Sequence, residues 1–255
     1  MPGVRGGFVE SSIVTSHRYR LPTHWTLWVW VHLEPDEQFD TFKALVDFTD
    51  DILRQRLDEQ ESSARQMAAK YREEDPDSIV SLIVEGEPDR VRETLGTYRR
   101  HLTYGLVSGL NALLEASMIQ LCRGIAELED RWHEREAPRK AVLEWFKNFM
   151  RRTLHLVVPT DVPEWNGVTR LNMLRHVITH AEGRPNHSLL AFARSHPEYL
   201  TVADDGRVDV SPEFLRQAAQ DIIALFTEIR RQNADRFTTG NHDDDLVLRN
   251  HLLTG

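Results

Sequence analysis

Gly167-Val168-Thr169-Arg170-Leu171-Asn172-Met173-Leu174-Arg175-His176-Val177-Ile178-Thr179-His180-Ala181-Glu182-Gly183 is the stretch on which the reading of this chain turns. At about 100° per residue, Leu171, Leu174, Val177, Ile178 and Ala181 fall on one unbroken apolar stripe, as in a helix with one face in a core. Thr169, Asn172, His176, Thr179 and His180 lie on the other side, with Arg175 at the edge of that polar arc. The arc carries a permanent cation, two imidazoles and hydrogen-bonding side chains, and no carboxylate. In a chain with 40 Asp and Glu, an acid-free polar face suits a phosphate group. Gly183, followed by Pro185, is a helix stop.

Working outward, Leu200-Thr201-Val202 and Arg207-Val208-Asp209-Val210 flank Asp204-Asp205-Gly206, a hairpin signal. Ser211-Pro212-Glu213 then opens an amphipathic helix, with Ser as N-cap and Pro at the first helical position, running through Phe214, Leu215, Ala218, Ile222, Leu225, Phe226 and Ile229. Upstream, Ala137-Pro138 opens a helix through Leu154, and a long helical pattern occupies about Asp89 to Arg131. Gly105, Gly109 and Gly124 interrupt it, at about 1 kcal/mol each against Ala. Phe39 to Leu57 repeats apolar residues at helical spacing and turns polar toward Tyr71. Ile79 to Val84 reads equally as helix or strand. Trp25-Thr26-Leu27-Trp28-Val29-Trp30-Val31-His32-Leu33, dense in aromatic and β-branched residues, reads as a strand, with Trp28 and Trp30 on one face. Met1 to Thr23 lacks periodicity, and the stretch from about Asn233 reads as a polar, mobile tail. The fold class expected is mainly α: a helical bundle with a short β-hairpin and an N-terminal strand-plus-helix extension. The division expected is residues 1–87 as that extension, 88–235 as the helical domain and 236–255 as the tail.

The 255 residues suffice for one large core without a disulfide or metal staple. A net charge of −9 argues against a broad cationic coat for nucleic acid, so any such contact must be a local patch. Of the 31 basic residues 27 are Arg, so a positive site here is a planar guanidinium site. The single Cys122, among Met118, Ile119, Leu121 and Ile125, reads as a buried apolar thiol and excludes a cysteine-based zinc cluster. No leader-type apolar segment precedes Trp25, and Trp25 to Leu33 is too short to cross a bilayer. The expectation is a soluble, cytoplasmic protein without a membrane partner.

Arg175, His176 and His180 form Arg-His-x-x-x-His, and with their helix they resemble the signature of the HEPN superfamily (higher eukaryotes and prokaryotes nucleotide-binding). That signature is an Arg, then a polar residue, then a His four to six residues after the Arg. The upstream Asn111-Ala112-Leu113-Leu114-Glu115-Ala116-Ser117 is similar to the family's first long helix with its internal Glu. The resemblance covers roughly residues 88–235. The spacing alone has little weight, since Arg18/His24, Arg170/His176 and Arg236/His242 share it by chance. Only Arg175/His180 combines it with the intervening polar residue, the amphipathic helix and the glycine stop.

The resemblance implies a metal-independent endoribonuclease without cofactor, working as a homodimer on an RNA substrate, of the kind found among toxins and antiviral-defence effectors. Its implied catalytic residues are Arg175, His176 and His180. Asn172 and Thr179 would position the phosphate, and Glu115 would hold Arg175. RNA cleavage through the 2′-hydroxyl needs a base, an acid and positive charge on the phosphorane, and imidazoles near neutrality share the first two roles. Where some toxin members carry a Tyr two residues after the signature His, this chain has Glu182, which puts regulation at that Tyr in doubt; an antitoxin or defence partner stays unidentified. Two alternatives stand beside this reading. A non-catalytic HEPN-like module would use the helices for dimerisation or docking. His176 and His180, spaced i, i+4, would also suit one zinc ion, although Arg175 beside it is repulsive and no carboxylate joins the face. His242-Asp243-Asp244-Asp245 reads as solvated, and Arg99-Arg100, Arg151-Arg152 and Arg230-Arg231 as helix surface.

Overall fold

The longest runs of helix-spaced apolar residues become the longest helices of the computed structural model, which describes residues 18–74, 86–130, 132, 138 and 141–254. In chain order the elements are β1 (Tyr19–Arg20), α1 (Trp25–Leu33), α2 (Asp36–Glu74), α3 (Glu87–Glu127), α4 (Val142–Arg152), α5 (Pro163–His180), α6 (His187–Ser195), β2 (Leu200–Val202), β3 (Val208–Val210), α7 (Pro212–Asn233), a 3-10 turn (Ala234–Arg236), β4 (Phe237–Thr238) and α8 (His242–Thr254). The chain is mainly α. The expectations for Met1 to His17 and for Ile79 to Val84 lie outside the described residues.

α3 is the spine. Val107, Leu110, Leu114, Met118, Leu121 and Ile125 are buried along it, and α1, α2, α4, α5 and α7 all pack on it. By length and composition α3 is also apolar enough to cross a membrane, and 44% of its apolar window is buried inside the bundle. α5 and α2 both lie against α7, whose face Phe214, Leu215, Ala218, Ile222, Leu225, Phe226 and Ile229 is buried as its spacing predicts. Ser211 caps α7, its Oγ accepting from the Phe214 N–H. β2 and β3 form the expected antiparallel hairpin, Leu200 opposite Val210 and Val202 opposite Val208.

Five expectations are corrected. Trp25–Leu33 is a helix, not a strand. Trp28, Val29 and Leu33 are buried there and Val31 is exposed, a helical spacing that burial against α3 selects over the β propensity of Trp and Val. The segment after Asn233 is ordered rather than a loose tail. Phe237 in β4 pairs in parallel with Tyr19, and α8 buries Leu248 and Leu252. Asp243, Asp244 and Asp245 occupy the first turn of α8, where the helix dipole favours carboxylates, and Asp245 accepts from Thr238 and Thr239. Arg230 is not a surface residue: it is 2% exposed, near Glu34 at 3.4 Å and Asp36 at 3.7 Å. Glu34 also meets His251 Nε2 at 2.7 Å, so this ionic cluster joins the α1–α2 junction to α7 and α8. One cluster of buried apolar residues runs from Tyr19 to Leu252. The long helix ends at Glu127, and the helix expected from Ala137 begins at Val142.

Candidate functional site

Pro163 starts α5 at its first turn, and Val168, Leu171, Leu174 and Val177 are buried along one side, as the stripe requires. The C-terminal end is fixed from two directions. Gly183 adopts φ +81° and its N–H donates to the Val177 carbonyl at 3.1 Å, closing the last turn. Tyr104 of α3 lies over it so closely that a Cβ on Gly183 would sit 2.1 Å from the phenol oxygen. The Tyr104 hydroxyl donates to the Val208 carbonyl at 2.8 Å, and the Val208 N–H donates to the Gly183 carbonyl at 2.9 Å. Helix end, spine and hairpin therefore meet at one glycine. That holds the last two turns of α5, which carry Arg175, His176 and His180, in a fixed orientation.

His176 and His180 are exposed with ring centroids 4.6 Å apart, tilted by 49°. Arg175 is half-buried, and among the described residues no carboxylate pairs with it. Arg54, Arg92, Arg100 and Arg216, by contrast, each pair with an acid. Thr179 is exposed and Asn172 half-buried on the same helix. Arg170 turns away, its guanidinium 4.7 Å over the Phe192 ring. Glu182 reaches Arg207 at 3.4 Å. The face thus offers a charge not neutralised among the described residues and two adjacent imidazoles, a set able to bind a phosphate and move protons beside it.

Glu115 takes a different role from the one the resemblance implies. Its Oε1 accepts from Asn111 Nδ2 at 3.0 Å, and among the described residues it forms no ion pair with Arg175. The sequence reading passed over Asn111 and Tyr104. Asn111 is 1% exposed and its Oδ1 has no hydrogen-bond partner among the described residues, a costly state for a buried amide. The signal for it was an amide among the apolar residues Val107, Leu110 and Leu114. Nothing local signalled Tyr104, whose partners lie about 80–100 residues away.

Among the described residues no group of three or more His, Cys, Asp or Glu converges to hold a metal ion. Cys122 is buried, and burial pushes its thiol well above the ordinary range. A cavity of about 600 Å³ lies between α3 and the hairpin, and none of Arg175, His176 and His180 lines it. Its Arg100 is already held by Asp205 and Asp209, each at 2.6 Å, which leaves little charge for an anion. The α5 face is open in a single chain. No family model, no curated protein and no solved structure matches the chain in comparison.

Proposed function

We propose that the protein is a metal-independent endoribonuclease of the HEPN type, with its site completed by a second copy of the chain. The observation that carries this reading is the imidazole pair of His176 and His180, 4.6 Å apart beside Arg175, which pairs with no carboxylate among the described residues. Arg175 binds a backbone phosphate of RNA and takes up the charge that grows on its oxygens as the phosphorane forms. One imidazole removes the proton from the 2′-hydroxyl, whose oxygen attacks phosphorus. The other protonates the departing 5′-oxygen. His180 takes one of these proton-transfer roles, and His176 takes the other or orients its neighbour. Asn172 and Thr179 hydrogen-bond the phosphate. The openness of the face supports a two-fold arrangement, because a mate would wall the cleft and double its charge.

A role as toxin or defence effector accompanies this reading, and Glu182 in place of a modifiable Tyr points away from control at that position. The test is an RNA cleavage assay in chelator with wild type, Arg175→Ala and His180→Ala. The proposal expects a loss of at least a hundredfold in each variant, with unchanged circular dichroism, in line with the removal of a proton-transfer group or a charge on the transition state. Wild-type rates in His180→Ala would reject it and leave a helical docking module.

A further inference from the structure

The cavity of about 600 Å³ between α3 and the hairpin takes no part in the α5 face, and its size is that of a small-molecule site. α3 forms one wall and the β2–β3 hairpin the other, and Pro197 and Tyr199, just before β2, contribute to the lining. Thr103 and Val210 line it although they are only 8% and 7% exposed, whereas Glu93 and Asp204 are exposed on the two walls. The cavity therefore has a buried floor and an open mouth.

We propose that this cavity binds a linear aliphatic polyamine. The charge of the lining selects a cation. Four carboxylates, Glu93, Asp204, Asp205 and Asp209, stand against two guanidiniums. Arg100 is held by Asp205 and Asp209 at 2.6 Å each, and Arg99 turns to the buried Asp50 of α2 at 3.2 Å. Glu93 and Asp204 form no ion pair among the described residues. The hydroxyls agree with the charge. Thr97 donates its proton to the Glu93 carbonyl at 3.0 Å and Thr103 to the Arg99 carbonyl at 2.9 Å, which leaves both oxygens as acceptors. Against these acceptors and the carboxylates, Tyr199, Thr201 and Ser211 supply the hydroxyl protons of the lining. A surplus of acceptors suits a ligand rich in N–H groups and disfavours a phosphate or carboxylate ligand.

The arrangement also sets the shape of the ligand. Glu93 and Asp204 stand on opposite walls, so one molecule meets both only with a cationic group toward each end. Gly96, Pro197, Ala203 and Val210 give apolar contact for the methylene groups of such a chain, and the half-buried Tyr199 supplies an aromatic ring for an ammonium. Binding ties the hairpin to α3. Val208, between Asp205 and Asp209, donates to the Gly183 carbonyl, so the clamp extends to the end of α5. The site stands whether or not the α5 face cleaves RNA.

Isothermal titration of the full chain with spermidine, in about 0.15 M salt to screen loose surface attraction, gives one site with a dissociation constant in the micromolar range. Mg²⁺ alone gives no comparable binding. Gly96→Leu projects a side chain into the cavity, and a Cβ there meets nothing within 4 Å, so binding is lost while the melting temperature is not lowered. Glu93→Gln/Asp204→Asn weakens binding by about tenfold or more, as expected for lost hydrogen bonds to charged groups. Asp130→Asn/Asp161→Asn, with the same change in net charge outside the cavity, leaves affinity unchanged. Amide exchange in the hairpin slows when spermidine is added to wild type. No binding of spermidine, equal affinity for Mg²⁺, or wild-type affinity in either cavity variant overturns the site.

Discussion

Gly183 is the residue on which the orientation of α5 depends. Gly206 has nearly the same backbone, φ +79° against +81°, and a Cβ there would meet nothing within 4 Å. The pair separates conformation from contact. Gly206→Ala should cost about 1 kcal/mol for the left-handed backbone alone. Gly183→Ala should cost about 3 kcal/mol, since Tyr104 must also move and release Val208. Urea denaturation of both variants measures this, and equal losses would mean that the Tyr104 contact contributes nothing. The glycine stop itself was legible in the sequence, because φ > 0 after a helix leaves a residue-type signature. The lid over it was not, because no local pattern in α3 marks a tyrosine for a partner 79 positions away.

At the scale of elements, α7, the hairpin and α5 were legible because their apolar spacing, caps and turn residues all agree. Trp25–Leu33 misled because composition and packing disagree there, and packing decides. Its helical form places His32 against α3, with Nδ1 buried without a hydrogen-bond partner among the described residues and the ring 5.0 Å from Trp28. Gly124 leaves the space: a Cβ there would lie 2.5 Å from His32 Nδ1. Burial is the largest influence on this imidazole and holds it below its ordinary value of 6.5, while a backbone interaction with Gln120 and the charge of Glu127 pull the other way. The unfolded chain therefore binds this proton more readily than the folded one. The contribution of His32 to stability is complete above about pH 6.5 and is lost as pH falls through the lowered folded value. Thermal melts of wild type and His32→Gln between pH 7.5 and 5 should show the larger acid-side loss in wild type, and parallel curves would place the pH dependence elsewhere.

For the whole molecule, one core unites residues that the sequence divides. Tyr19 and Phe237, near opposite ends of the described chain, meet with centroids 5.8 Å apart and rings tilted by 33°, and Tyr19 donates to the Leu154 carbonyl. Long-range pairing of this kind has no periodic signal, so the roles of β1, β4 and α8 were illegible. The candidate site had the reverse fate. That Arg175, His176 and His180 lie close together could be read from the sequence, because one helix turn and a half holds all three. The loss of Glu115 as the partner of Arg175 shows the limit, since a contact between helices is set by their mutual rotation.

The central claim is that this face cleaves RNA through the RNA's own 2′-hydroxyl without a metal. End-group analysis after incubation of wild-type protein with RNA in chelator tests it most directly. The account predicts new 2′,3′-cyclic phosphate and 5′-hydroxyl ends, and an intact strand when every ribose is 2′-deoxy. Uncleaved RNA, or ends carrying 5′-phosphate and 3′-hydroxyl, would contradict it.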